Sequence, residues 1–252
     1  PRAGQPARAG SLGAAEVGGV AWALAALNEQ PGPELWGALG WACARLEESE
    51  DGSGLGPRAA ASVLWAAAVL QLGAPAAAVR AANDAAGSEA WDDPSLRAAF
   101  QAHLASEAAG GAPLGLDSHL LERCRLAWGR RDPCRVSEAL QAEVARCLGE
   151  MGVPHDVEAP TADGLMRVDV AVRVSGEDVA VEADGPTHYA HNTRARAGGT
   201  ALRDRLLEAR GWRVERVPWW EWDEASVDPE SQRAYLAAKL HGCGRAAAAP
   251  AP

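Results

Sequence analysis

The amino-acid sequence predicts an α + α/β chain, an N-terminal helical-repeat region followed by a small α/β domain, on three observations. A W-A-x-A-x-L pattern recurs in alanine-rich surroundings, as Trp22-Ala-Leu-Ala-Ala-Leu27, Trp41-Ala-Cys-Ala-Arg-Leu46 and Trp65-Ala-Ala-Ala-Val-Leu70. Beyond Val168 the apolar period drops to two, with Val168, Val170, Val172 and Val174 on one face of an extended run. A segment with helix start and stop signals, Thr200 to Gly211, then separates two β-rich runs, as in a crossover between parallel strands.

Taken in order, residues 1–16 are rich in Pro, Gly and Ala and are expected to be disordered. The three tryptophan motifs follow at spacings of 19 and 24 residues, separated by Gln30-Pro-Gly-Pro33 and Asp51-Gly-Ser-Gly54. Alanine favours helix and lets neighbouring helices approach closely. Residues 17–110 are therefore expected to form stacked helices, one per motif, with an irregular bundle as the alternative. Their tryptophans are expected to anchor the core. Gly110-Gly-Ala-Pro-Leu-Gly115 places a linker at 111–116.

Residues 117–241 are expected to form the second domain. Asp117–Trp128 and Ser137–Leu148 read as helices, the latter with Ser137 as N-cap and Gly149 as stop. The valine run and Val179–Asp184 read as a hairpin. Thr200–Arg210 reads as a helix with Thr200 as N-cap, 212–217 as a strand, and 230–240 as a last helix. Residues 242–252 are expected to be a disordered tail.

Bulk properties narrow the classes. The net charge of −10 argues against a general nucleic-acid binder of the basic-patch type, although seven arginines face three acids between Arg194 and Arg216. No run of eighteen apolar residues marks a membrane span. The five cysteines lack metal-ligand or CxxC spacing and read as reduced thiols of an intracellular compartment. The chain starts at Pro1 and reads as part of a longer protein.

The hairpin carries the chemistry. With Ser175-Gly-Glu-Asp178 as its turn, centred between Gly176 and Glu177, Asp169 faces Asp184, Ala171 faces Glu182, and all three acids share a face. Opposed like charges need a cation, an arginine or a proton between them. Three carboxylates at that spacing suit a hard cation such as Mg²⁺, and His188 follows the Gly185-Pro186 turn. A purely structural alternative stands beside this. Asp184-Gly185 would be strand-end turn chemistry, Arg167 or Arg203 would pair with Asp169 and Glu182, and His188 would cap the turn.

Several anchors together resemble the RAP domain, an RNA-binding module named for its abundance in apicomplexans. They are Val168-Asp-Val170, Val181-Glu-Ala-Asp-Gly-Pro-Thr-His188, Gly199-Thr200, Leu202, Leu206-Leu207, Gly211-Trp-Arg-Val214, Pro218-Trp-Trp-Glu-Trp222 and Tyr235-Leu236 with Lys239-Leu240, within a core of 165–241. The resemblance implies a restriction-endonuclease-like α/β fold, with Asp169 and Glu182 at its two acidic positions. Asp184 stands where that nuclease class has lysine, which puts ordinary hydrolysis in doubt. It also implies an organellar setting, chloroplast or mitochondrion, behind helical repeats.

Three functions follow. The first is an RNA-binding protein of organellar RNA metabolism, acting in processing, stability or translation. It would contact single-stranded RNA through Arg194, Arg196, Arg203 and Arg205, with Trp219, Trp220 and Trp222 as candidates for base stacking or core packing. The second is an endoribonuclease in which Asp169, Glu182 and Asp184 hold Mg²⁺ or Mn²⁺ and His188 acts as general base. The third is a scaffold whose helices dock protein partners. No cofactor is required by the first or the third.

Overall fold

The computed structural model describes residues 12–49, 54–110, 113–130, 138–190 and 193–242. The chain divides into two compact units, one of Pro1–Asp132 with Asn192–Leu206, the other of Pro133–His191 with Leu207–Pro252.

The first unit contains α1 (Ala14–Leu27), α2 (Pro33–Glu47), α3 (Pro57–Leu70), α4 (Ala76–Asp84), α5 (Asp93–Ala108) and α6 (Ser118–Gly129). Starts follow simple chemistry. Proline opens α2, α3 and α5, where its missing N–H goes unneeded. Asp92 and Asp117 accept backbone N–H groups at the starts of α5 and α6. Helices α1, α3 and α5 lie side by side in one row, α2 and α4 pair in a second, and α6 packs on α5. Small residues set the α1–α3 spacing: a Cβ added at Gly18 would sit 2.9 Å from the Ala59 Cα. A bidentate Arg80–Glu47 pair links α4 to α2 within the second row.

Several expectations change here. Each motif ends its own helix, but the helices α1 to α4 pair two by two, and α4 carries no motif. Tryptophan does not anchor the core at every copy: Trp22 is 57% and Trp41 40% exposed. Trp65 is half-buried and donates its indole N–H to Gln101. Alanine and leucine fill the core instead. The division falls after α6 rather than at 111–116, because α6 is held to α5 by Phe100 against Trp128. Helix α1 starts at Ala14, inside the stretch expected to be disordered. Ser137 and 243–252 lie outside the described residues.

The second unit contains α7 (Glu138–Glu150), β1 (His155–Pro160), β2 (Arg167–Val174), β3 (Glu177–Asp184) and a single 3-10 turn, Pro186–His188. Helix α8 (Gly198–Glu208) starts in the first unit, with Thr200 inside its first turn rather than at its N-cap, and reaches the second unit at Leu207. Strand β4 (Arg213–Pro218), α9 (Trp219–Ala225) and α10 (Pro229–Leu240) complete the unit. The sheet order is β1-β2-β3-β4, antiparallel except for the parallel β3–β4 pair that a helical crossover requires. Val170, Val172, Val179, Val181 and Val217 pack with Val144 and Leu148 of α7, Trp222 of α9, and Leu236 and Leu240 of α10.

The hairpin register differs from the expected one by two residues. Ser175 and Gly176 both have positive φ, 52° and 89°, so the turn has two central residues and pairs Val174 with Glu177. A shift of two keeps every side chain on its face. Asp169 therefore comes opposite Glu182, not Asp184.

Among the described residues no helix is long and apolar enough to cross a membrane. Cys43, Cys124 and Cys147 are buried free thiols, and burial pushes Cys43 up to about 11 and Cys124 up to about 12.

Candidate nucleic-acid interface

One face of the sheet in the second unit carries Asp169 on β2, Glu182 and Asp184 on β3, and Arg216 on β4. The parallel register sets Arg216 across from Glu182. Glu182 is 2%, Asp184 1% and Arg216 9% exposed. Charges so far from water need partners, since an isolated buried ion is expensive.

Asp184 is the hub. Its Oδ1 accepts a hydrogen bond from Arg216 Nη1 and lies 3.3 Å from His188 Nδ1, and its Oδ2 accepts the Tyr189 hydroxyl at 2.7 Å. The Gly185–His188 turn brings His188 and Tyr189 back onto the carboxylate. Burial, then the Asp184 charge, pushes the Tyr189 hydroxyl well above its ordinary range, so it remains a donor. The two other acids hold each other's strands. Asp169 Oδ2 accepts the Ala183 N–H at 2.9 Å, and Glu182 Oε1 accepts the Asp169 N–H at 3.4 Å.

The three carboxylates thus do not converge on one point. Among the described residues no group of three or more His, Cys, Asp or Glu side chains is arranged to hold a metal ion. Each acid is instead engaged by its own partners, Asp184 by Arg216, Tyr189 and His188, and Asp169 and Glu182 by strand N–H groups. Arg216 was legible as one of seven arginines, and its parity in the strand was the signal that would have singled it out. Tyr189, directly after the recognised Thr187-His188, carried no such signal.

From Tyr189 an aromatic ladder runs outward. Its ring meets Trp220 edge to face at 4.5 Å, and Trp220 meets Trp219 at 6.0 Å. Trp219 is 38% exposed, whereas Trp222 is 2% exposed and donates its indole N–H to Glu143 at 2.8 Å. Among the three candidates for stacking, Trp222 is therefore a core residue. Trp219 is the first residue of α9, whereas Trp222, one turn further on, packs into the core of the sheet.

The candidate arginines lie in the first unit. Arg194 and Arg196 are exposed, and Arg196 pairs with Asp204 at 2.6 Å. Arg203 and Arg205 are half-buried. Arg205 donates to the carbonyls of Ala68 and Val69 at 2.8 Å each, at the C-terminal end of α3. These carbonyls belong to the last turn of α3, where intrahelical donors run out, so Arg205 caps that helix.

The fold and this face define a small α/β domain with a buried charge hub and a surface tryptophan, following a helical region. Residues 181–239 match the family model of the RAP domain. A protein of rice (Oryza sativa subsp. japonica), "RAP domain-containing protein, chloroplastic", is 36% identical over 102 residues, which is 40% of this chain and 15% of the rice protein. The match thus spans a small part of that relative's length.

Proposed function

We propose that this protein binds single-stranded RNA in an organelle and acts in the processing, stability or translation of transcripts there. The observation that carries the reading is the ladder Tyr189–Trp220–Trp219, fixed at its inner end by a buried carboxylate and open at its outer end. A rigid indole edge-braced by its neighbour loses little freedom when a base stacks on it, and stacking tolerates any base. His188, half-exposed and tethered to Asp184, stands at the same inner end as a hydrogen-bond partner for RNA. The RAP match and the chloroplastic relative support the RNA and organelle parts of the reading. The net charge of −10 favours modest affinity with little non-specific attraction.

The second reading, a metal-dependent endoribonuclease, has one supporting feature, the His188–Asp184 pair, in which a buried acid orients an imidazole. Against it, Asp184 is already shared among Arg216, Tyr189 and His188. The two readings separate in one assay. End-labelled single-stranded RNA is incubated with the protein in Mg²⁺, in Mn²⁺ and in EDTA, with Asp169→Asn alongside. Shifted, intact RNA in all three conditions is the expected result. Cleavage that needs metal and vanishes in the variant would replace the binding reading with the nuclease.

A further inference from the structure

Asp184 and Pro218 are paired neighbours at the ends of β3 and β4. The chain leaves the sheet from both. From Asp184 it runs through Gly185 and the Pro186–His188 turn to Tyr189. From Pro218, the N-cap of α9, it passes directly into Trp219 and Trp220. Two segments distant in sequence therefore start side by side, and the Tyr189 ring meets Trp220 edge to face.

A shared origin does not by itself hold the rings together. Trp219 and Trp220 stand on the first turn of a helix, whose backbone is fixed. Tyr189 follows a single 3-10 turn and is extended, at φ −134° and ψ 152°. Its hydroxyl returns to the sheet and donates to Asp184 Oδ2, closing the loop on the carboxylate from which the segment departed. Asp184 is a fixed post, buried and bonded to the buried Arg216. A hydrogen bond to an ionised group is among the stronger kinds, and the Tyr189 hydroxyl keeps its proton to make it. The far end of the ladder is different. Trp219 lies at the surface, and among the described residues its aromatic neighbour is Trp220, at an interplanar angle of 88°. Edge-to-face contacts are directional, so the plane of one ring constrains the plane of the next. The order Asp184, Tyr189, Trp220, Trp219 thus runs from an immobile carboxylate to an open indole.

We infer that the Tyr189 hydroxyl is a positioning group for the RNA site: bound to Asp184, it fixes the Tyr189 ring against Trp220, and Trp220 holds Trp219 in the orientation that receives a base. Tyr189 touches no nucleotide and acts through Trp219. The inference rests on the RNA-binding reading and adds to it a residue whose contribution is preorganisation. A side chain ordered before binding has less freedom to lose when a base stacks on it.

Tyr189→Phe keeps the ring and removes the hydroxyl. Affinity for a labelled single-stranded RNA pool is measured in EDTA for the parent protein, Tyr189→Phe, Trp219→Ala and the double variant. All are held well below their unfolding midpoints, because Asp184 loses a donor in Tyr189→Phe and the fold loses some stability with it. Tyr189→Phe is expected to weaken binding about two- to tenfold, and to weaken it no further in the Trp219→Ala background, where nothing is left to position. A merely structural role would weaken both backgrounds alike. In the free protein labelled with 5-fluorotryptophan, the Trp219 fluorine resonance, assigned by its loss in Trp219→Ala, is expected to shift and narrow in Tyr189→Phe as the indole gains motion. Unchanged affinity in Tyr189→Phe, losses that add in the double variant, or an unmoved Trp219 resonance would overturn the inference, while a loss in Trp219→Ala would leave the RNA reading standing. Equal affinity of Trp219→Ala and the parent would overturn that reading and the inference with it.

Discussion

Asp184 shows how one side chain can set the character of a face. It is 1% exposed and carries three partners, among them an arginine that is itself buried. Removing one member of a buried ion pair leaves the other uncompensated, so Arg216→Ala is expected to destabilise the protein by about 3–5 kcal/mol, read by chemical denaturation. Two other residues sharpen the contrast between core and surface. Trp222→Ala empties a core site, with an expected loss of about 3–5 kcal/mol. Trp219→Ala is expected to leave the unfolding midpoint almost unchanged. At Gly198 space alone decides, since an added Cβ would lie 1.8 Å from the Ala25 carbonyl oxygen and 2.5 Å from a Val69 methyl. Gly198→Ala therefore forces the start of α8 away from α1 and α3, and a lowered melting temperature checks it. Of these residues, Asp184, Trp219 and Trp222 were visible in the sequence, but not which tryptophan faced solvent. That depends on how α9 leaves the edge of the sheet at Pro218, a matter of tertiary packing.

At the scale of elements, local chemistry was the most legible part. Proline and aspartate starts, the valine alternation and the parallel β3–β4 pair all follow from residue types and from chain order. The hairpin register did not follow, because Ser175-Gly-Glu-Asp178 suits a four-residue turn as readily as the two-residue turn it forms. Serine at φ 52° is uncommon and gave no warning. Strand β1 and helix α4 were missed, since His155–Pro160 and Ala76–Asp84 show neither strong alternation nor a tryptophan motif. The start of α5 offers a pH test. Hydrogen bonding from Ser95 holds the Asp92 carboxyl below its ordinary value, against the effect of partial burial. A depressed carboxylate stabilises the fold fully above the unfolded-state pKa and loses that contribution as pH falls through the folded one. Asp92→Ala, expected to cost about 1 kcal/mol at neutral pH, should therefore narrow its gap to the parent protein in melts run at increasingly acid pH.

Across the whole molecule, the chain leaves the first unit after Asp132, builds most of the sheet, and returns between Asn192 and Leu206 before the last strand is made. The returning segment supplies the cap that Arg205 places on α3. A fragment ending at Asp132 lacks it, and its melting temperature is expected to fall below that of the first transition of the full chain. Linear reading placed the boundary at a glycine-rich stretch and could not show this return, since discontinuity in a fold leaves no mark in local composition. The charge balance acts at this scale as well. With Arg216, Arg196 and Arg205 engaged by Asp184, Asp204 and helix carbonyls in a chain of net charge −10, base stacking is proposed as the larger part of the affinity.

That claim is tested most directly by equilibrium binding of a labelled single-stranded RNA pool, in EDTA, to the parent protein and to Trp219→Ala, with unfolding midpoints measured in parallel. Affinity is expected to fall by about 1–3 kcal/mol, roughly five- to 150-fold, at unchanged stability. Equal affinity in the two proteins would contradict it and remove Trp219 from any role in RNA recognition.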